Sequence, residues 1–182
     1  MGRLWLSALG ADRPGIVAAV SGVLADLGCN LEDSTMTNLQ GHFAVLLVVS
    51  APDGVTAGAL EDALDPVAGL FELVVAVRPL DDAPPPGEPV GPRDEPWTIA
   101  VHGADRTGIV RTVTSALADA GGNVVDLSTH LVGEEGAPVY VMTLRVTLPA
   151  GTAGDTAAGR IREAAASLDV HCSVHRDEVD LL

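Results

Sequence analysis

The spacing of hydrophobic residues in the first half of the chain alternates between strand-like and helix-like runs. Short apolar runs predict strands at Leu4–Leu9 and Phe43–Val49, the second of them buried on more than one side. Apolar residues recur at helical spacing after Pro14, which suits the first position of a helix. Gly28 is expected to end this helix in a left-handed conformation, and the polar run Cys29–Leu39 predicts a strand that is wet on one side or lies at a sheet edge.

Turn and helix signals predict the remaining elements of the first half. Gln40 and Gly41 favour a tight hairpin turn between two strands. A second helix is predicted at Thr56–Leu64 and is expected to stop at Pro66, before a fourth strand at Phe71–Val77. The predicted order is therefore βαββαβ.

The second half repeats the first. Positions 10–17 have the sequence Gly-Ala-Asp-Arg-Pro-Gly-Ile-Val, which returns with one change at positions 103–110. The same offset of 93 residues also aligns Asn30 with Asn123, so the correspondence extends over more than twenty residues. A constant offset of this length indicates a duplicated structural unit.

The repeat predicts the elements of the second half and the domain boundaries. The expected elements are, in order, strand Trp97–His102, helix Thr107–Ala120, strand Asn123–Val132, strand Val139–Leu148, helix Thr152–Leu168 and strand Val170–His175. A looser hairpin, Gly133–Pro138, takes the place of Gln40 and Gly41.

A Pro-rich segment separates the two halves. Seven of the twelve prolines lie between Arg78 and Pro96, and such a segment is extended and partly stiff. We therefore predict a first domain at 1–78, a Pro-rich acidic linker at 79–96 and a second domain at 97–182. An SH3-type ligand is a weaker interpretation of this segment, because its prolines lack a flanking basic anchor.

Composition argues against several classes of function. The formal net charge is −15 and all ten basic residues are scattered arginines, whereas a nucleic-acid backbone requires a basic face. Direct nucleic-acid binding is therefore not expected. Cys29 and Cys172 show neither metal-site nor disulfide spacing, so reduced thiols are expected. No apolar run reaches the roughly 20 residues of a membrane span, so we expect a cytoplasmic protein that does not bind a membrane.

Catalytic signatures are also missing from the sequence. It contains no nucleophile elbow, P-loop, dinucleotide fingerprint or HExxH-type spacing, so no enzyme activity, cofactor or metal is expected. His171 and His175 lie four apart in a predicted strand, where about 13 Å would separate them. His102, directly before the second copy of the repeated loop, is the histidine that we keep as a candidate ligand contact.

The repeated loop has a chemistry of its own, because it joins the end of a strand to the start of a helix. The first N–H groups of a helix lack backbone partners and, with the helix dipole, attract a carboxylate or another anion. Gly15 and Gly108 allow close approach to the backbone, while Asp12 or Asp105 is expected to cap the helix or to hold a ligand ammonium. A capped turn without a ligand is the structural alternative.

Two motifs carry a resemblance to a known family. Asp-Arg-Pro-Gly-Ile-Val at 12–17 and Gly-Cys-Asn-Leu-Glu-Asp-Ser at 28–34, within a βαββαβ unit, resemble the ACT domain, a small-molecule regulatory module. Two such domains with nothing else resemble the glycine cleavage system transcriptional repressor family. The resemblance implies an α+β fold of two ferredoxin-like units, each an antiparallel sheet with helices on one face.

The resemblance also implies a ligand site at ACT–ACT interfaces, formed by the loop after the first strand and the asparagine that begins the second. The residues it nominates are Asp12, Arg13, Gly15, Ile16 and Asn30 in the first unit, and Asp105, Arg106, Gly108, Ile109 and Asn123 in the second. Thr107 stands where the family pattern has proline, so Asp12 and Asn30 are preferred over their second-unit counterparts.

Three functional hypotheses follow. The first is a regulatory protein that senses a small amino acid and acts by contact with a protein, as in transcriptional regulation of the glycine cleavage type. The second is an interaction module without a ligand, and the third is a stand-alone regulatory subunit of an amino-acid metabolic enzyme. The expected partners are a small amino acid as effector and a transcription factor or metabolic enzyme. Side-by-side pairing of ACT units, in a homo-oligomer, is expected from the resemblance.

Overall fold

A computed structural model describes residues 2–80, 94–133 and 138–177. These residues fall into two compact units, which divide between residue 80 and residue 94. The predicted linker at 79–96 lies mostly outside the described residues, although Pro79 ends the last strand of the first unit and Asp94 begins the first strand of the second. Most of the predicted hairpin Gly133–Pro138 also lies outside them.

All the predicted helices and strands are present in the predicted order. The first unit contains β1 (Gly2–Ala11), α1 (Ile16–Asp26), β2 (Asn30–Leu39), β3 (His42–Ala51), α2 (Ala57–Phe71) and β4 (Val74–Pro79). The second unit contains β5 (Asp94–Ala104), α3 (Ile109–Asp119), β6 (Asn123–Val132), β7 (Val139–Pro149), α4 (Thr152–Ala166) and β8 (His171–Arg176). The antiparallel sheets have the orders β2-β3-β1-β4 and β6-β7-β5-β8. The predicted α+β class with two ferredoxin-like units is confirmed.

One face of each sheet packs against its two helices, and the core lies between them. In β1, Leu4, Leu6 and Ala8 are buried at alternating positions against α1 and α2, because successive side chains point to opposite faces of a sheet. The prediction that β3 is buried on more than one side is wrong. Its alternate residues face away from the helices, and Leu46 is 53% exposed there.

Both helices that follow the repeated loop begin later than predicted. The N-cap residues are Gly15 and Gly108, with φ of 98° and 99°, so α1 begins at Ile16 and α3 at Ile109. A left-handed residue cannot continue a right-handed helix. Pro14 therefore belongs to the turn and not to the first helical position. Gly28 has φ of 69°, which confirms the predicted left-handed residue after α1.

The prediction that Pro66 ends the second helix is also wrong. Helix α2 continues for five more residues to Phe71, with Pro66 exposed in its interior. The ring removes one N–H donor from the helix and normally costs about 3 kcal/mol. Continuation is favoured because the residues beyond Pro66 keep facing the core: Val67, Ala68 and Phe71 pack against the cluster that contains Leu60 and Leu64.

Replacing this proline is expected to stabilise the first unit. Pro66→Ala restores a backbone donor and is expected to add about 2 kcal/mol, since the gain of about 3 is partly offset by a more flexible unfolded chain. Urea unfolding followed by Trp5 fluorescence, in a Trp97→Phe background, measures the change. Gly69→Ala on the same helix meets open space and serves as the control, with a gain of at most about 1 kcal/mol. A loss of stability for Pro66→Ala would show that the ring itself packs usefully.

The edge strands β2 and β6 share a bulge near their first residues. The pairing of β2 with β3 shifts between Leu31 and Asp33, and that of β6 with β7 shifts between Val124 and Asp126. Glu32 lies at the bulge of β2, and its carboxylate is 2.8 Å from Nε of Arg3 on β1. The predicted edge position of β2 is confirmed, and the Gln40–Gly41 hairpin turn is present with φ of 51° and 82°.

Candidate ligand-binding loops

The loop between β1 and α1 borders a shallow depression on the surface of the first unit. The depression has a volume of about 450 Å³ and is lined by Asp12, Arg13, Gly15, Ile16, Val17, Ala18, Met36 and Phe43. Four of the five residues nominated in the first unit are therefore brought together. Ile16 is 2% exposed. Its side chain therefore belongs to the core, and almost none of it is accessible from the depression.

No side chain of the described residues caps α1 or α3. The expectation that Asp12 or Asp105 caps its helix is thus not met, because a left-handed glycine takes the N-cap position in both units. The first-turn N–H groups of each helix therefore remain without a side-chain acceptor within the described chain. Such groups, at the positive end of the helix dipole, attract a carboxylate.

Gly10 and Gly103 begin the two repeated loops, and close packing explains why each is a glycine. A Cβ on Gly10 would lie 2.8 Å from Cδ2 of Leu73, and one on Gly103 would lie 2.9 Å from Cγ1 of Val170. Both glycines allow the strand end to pass close to the connection that follows the second helix of the unit. Part of the repeated motif is therefore explained by packing alone.

The Asp12 carboxylate is engaged by the neighbouring hairpin. Its Oδ2 accepts a hydrogen bond from Nδ2 of Asn38 at 2.6 Å, and its backbone N–H donates to the carbonyl of Gly41 at 2.8 Å. The Gly41 N–H in turn donates to Oδ1 of Asn38 at 3.0 Å. Asp12 therefore ties the loop to the β2–β3 hairpin, a structural role that the repeat alone did not indicate.

The nominated arginines pair with carboxylates on the connection after the second helix of each unit. Arg13 lies 2.9 Å from Glu72, and Arg106 lies 3.1 Å from Asp169. Exposed pairs of this kind contribute about 0–1 kcal/mol. Their carboxylates offset the arginine charge, so the backbone N–H groups are the loop's main attraction for an anion.

Asn30 and Asn123 lie at the opposite end of their sheets from the loops. Asn30 pairs with Ser50, whereas the loop follows the pairing of Ala11 with His42. The eight residue steps along β3 from His42 to Ser50 span about 27 Å. Asn123 pairs with Thr147 in the same way. Since α1 runs the length of the sheet between loop and asparagine, no single unit can place both on one small ligand.

The second unit differs from the first beside its loop. Tyr140 pairs with Gly103 as Phe43 pairs with Gly10, so the two aromatic residues are equivalent. Burial raises the pKa of the Tyr140 phenol, the charge of Asp105 raises it further, and a hydrogen bond with Thr129 lowers it. Tyr140 pairs with Leu131, which makes Thr129 its diagonal neighbour on the same face of the sheet. Sequence reasoning missed Tyr140 and Thr129, although aligning β7 with β3 would have paired the two aromatic residues.

His102 lies away from the loop that it precedes. Its neighbour Val101 is fully buried toward the helices, so His102 is on the open face of the sheet, where its ring centroid is 4.5 Å from that of His171. His171 and His175 lie in β8, as predicted. Within the described residues there is no group of three or more histidines, cysteines or acidic residues that could hold a metal.

Comparison with known proteins establishes the family. A family model described as the ACT domain matches residues 3–77. A UPF0237 protein of Methanopyrus kandleri is 42% identical over 65 residues, which cover 35% of this chain and 72% of that protein. The chain belongs to the ACT-domain family. Its second unit is a further copy of the ACT topology, since it has the same strand order and the same left-handed glycine before its first helix.

Two similarities extend over both ACT units. The glycine cleavage system transcriptional repressor of Escherichia coli is 24% identical over 155 residues, which cover 85% of this chain and 78% of the repressor. The crystal structure of an unknown protein from Galdieria sulphuraria has a TM-score of 0.82 and 25% identity, and it covers 97% of this chain and 99% of that one. This chain is therefore a tandem ACT-domain regulatory protein related to the repressor. Among the helices that the structure describes, none combines the length and the hydrophobicity of a membrane span.

Proposed function

We propose that this ACT protein senses a small amino acid and transmits its bound state by contact with another protein. The observation that carries the proposal is the repeated loop, in which uncapped helix N–H groups lie beside an aspartate in both units. The N–H groups suit the ligand carboxylate, and the aspartate suits its ammonium. An amino acid is the small molecule that presents both charges two bonds apart.

A protein partner fits this chain better than DNA does. The net charge of −15 would repel a phosphate backbone. Because the related Escherichia coli protein is a transcriptional repressor, we propose a transcription factor as the partner. A metabolic enzyme is the alternative partner.

We further propose that the complete site forms between ACT units of two chains. Asn30 lies too far from the loop of its own unit, so it would reach only a ligand that is bound at the loop of a different ACT unit. Val17, Leu31 and Met36 are exposed apolar residues on the helix side of the β2 edge. Leu31 and Met36 share that side because their partners Val49 and Val45 are buried under the helices. Pairing of two β2 edges would cover this surface and extend the sheet.

Calorimetric titration with the twenty amino acids tests the sensor proposal. At least one is expected to bind with a Kd of about 1 mM or less and to raise the melting temperature as its concentration exceeds Kd. The N-acetyl and methyl-ester derivatives of that amino acid lack one charge each and are expected to bind at least about tenfold more weakly. Absence of binding by every amino acid would favour an interaction module without a ligand. Capture of a metabolic enzyme by the tagged chain would favour the regulatory-subunit alternative.

A further inference from the structure

The two loop regions have diverged in the side chains that surround the shared backbone. Met36 of the first unit corresponds to Thr129, and Asn38 corresponds to Leu131, at the same offset of 93 residues as the loops. Phe43 corresponds to Tyr140 by strand register. The second unit therefore has two hydroxyl groups where the first has Met36 and Phe43, and an apolar leucine where the first has the amide of Asn38.

The divergence also changes the state of the aspartate. In the first unit, the Asn38 amide occupies the Asp12 carboxylate at 2.6 Å. In the second unit, Leu131 has no group that could do so, and Asp105 accepts no side-chain hydrogen bond among the described residues. A carboxylate that no described side chain occupies is available to the ammonium of a ligand.

The hydroxyl groups of the second unit lie where they can reach that same ligand. Tyr140 pairs with Leu131 between β6 and β7, so Thr129, two residues before Leu131, is its diagonal neighbour on the same face of the sheet. Tyr140 also pairs with Gly103, two residues before Asp105, and the charge of Asp105 raises the pKa of the phenol. Tyr140 is half-buried, whereas Thr129 and Asp105 are exposed, so the cluster opens to solvent. A threonine and a tyrosine hydroxyl can each donate and accept a hydrogen bond. Together they match a ligand side chain that does the same, such as a hydroxyl or a carboxamide.

We propose that the second unit holds the site for a polar amino acid, with Asp105 binding its ammonium and Tyr140 and Thr129 selecting a short side chain that carries a hydroxyl or carboxamide. The proposal rests on the proposed sensing function and deepens it. It places the site that selects between amino acids in the second unit. The presence of Pro14 in the first loop and Thr107 in the second had favoured a site in the first unit.

Serine and alanine make a matched pair of probes, because they differ by one hydroxyl. The full chain is expected to bind serine at least about tenfold more tightly than alanine, since a site built to hydrogen-bond rejects the analogue that lacks the group. Tyr140→Phe and Thr129→Met are each expected to remove most of that ratio, because each weakens serine binding more than alanine binding. Asparagine and glutamine, titrated beside serine and threonine, distinguish a carboxamide from a hydroxyl ligand.

Variants of the first unit provide the controls. Phe43→Tyr and Met36→Thr introduce the same hydroxyls there and, combined with Tyr140→Phe, are expected not to restore the serine-to-alanine ratio. Leu131→Asn gives the second unit the amide that occupies Asp12 in the first and is expected to weaken serine and alanine alike, by about tenfold. Circular dichroism of each variant checks that it is folded.

Tyr140 is the only tyrosine in the chain, so tyrosine labelled with carbon-13 at Cζ alone gives a single NMR resonance at the site. Serine is expected to shift this resonance with the same midpoint as the calorimetric titration. Binding of serine without a shift, together with an unchanged ratio in Tyr140→Phe and Thr129→Met, would overturn this proposal and leave the sensing function intact. Failure of every amino acid to bind the unmodified chain would overturn both.

Discussion

Gly154→Ala is expected to destabilise the second unit by about 3 kcal/mol. Gly154 lies in the first turn of α4, where a Cβ would be 2.4 Å from the carbonyl oxygen of Pro149 and 3.4 Å from Cζ2 of Trp97. The oxygen belongs to the backbone at the end of β7, so it cannot move aside as a flexible side chain would. The helix or the strand end must therefore shift, and both belong to the buried core.

Gly159→Ala is the matched control, because it lies in the same helix and its Cβ would meet nothing within 4 Å. This change is expected to stabilise the unit by about 0.5–1 kcal/mol, since alanine is the better helix former. Urea unfolding followed by Trp97 fluorescence, in a Trp5→Phe background, measures both variants. Equal effects of the two substitutions would show that α4 does not pack as closely on β7 as the structure indicates.

Leu6→Ala is expected to cost the first unit about 3–4 kcal/mol. Leu6 is fully buried between the sheet and its helices, so its truncation leaves a cavity that the surrounding core cannot fill. Leu9 lies on the same strand but faces the open side of the sheet and is 51% exposed. Leu9→Ala is expected to cost less than about 1 kcal/mol, because most of its surface is already in water.

The same unfolding measurement, followed by Trp5 fluorescence in a Trp97→Phe background, compares the two leucine variants. A large loss for Leu9→Ala that grows with protein concentration would reveal that an assembly covers the open face. A large loss that is independent of concentration would contradict the one-sided core of the first unit.

The order and type of the elements were predictable from the sequence because the duplication supplied each signal twice. The details that failed depend on competition between local and tertiary effects. Pro66 normally interrupts a helix, but the apolar residues that follow it kept α2 intact. Pro14 suits a helix start, but the left-handed Gly15 set the boundary two residues later.

The candidate site was predictable only in part. The position of both loops was predictable, because the repeated motif lies between a predicted strand and a predicted helix and contains the glycines of a turn. Asn30 lies about 27 Å from the loop because β2 begins at the far end of the sheet and runs back toward the loop. The spacing of residues in the sequence does not reveal this direction. Asn38 and Tyr140 escaped notice because their roles depend on cross-strand neighbours. Their positions could have been compared between copies once the longer second hairpin was allowed for.

The bulges in β2 and β6 have a consequence for misassembly during folding. An edge strand is a template on which a foreign strand can add, and a long regular edge promotes aggregation. In β2 the bulge at Glu32 limits the uninterrupted ladder to Asp33–Leu39, with a charge at its first position. The equivalent bulge in β6 leaves Asp126 to begin the corresponding run. A foreign strand that adds to β2 would therefore find a regular ladder of only seven residues, with a carboxylate at its first position that would lose solvent on pairing.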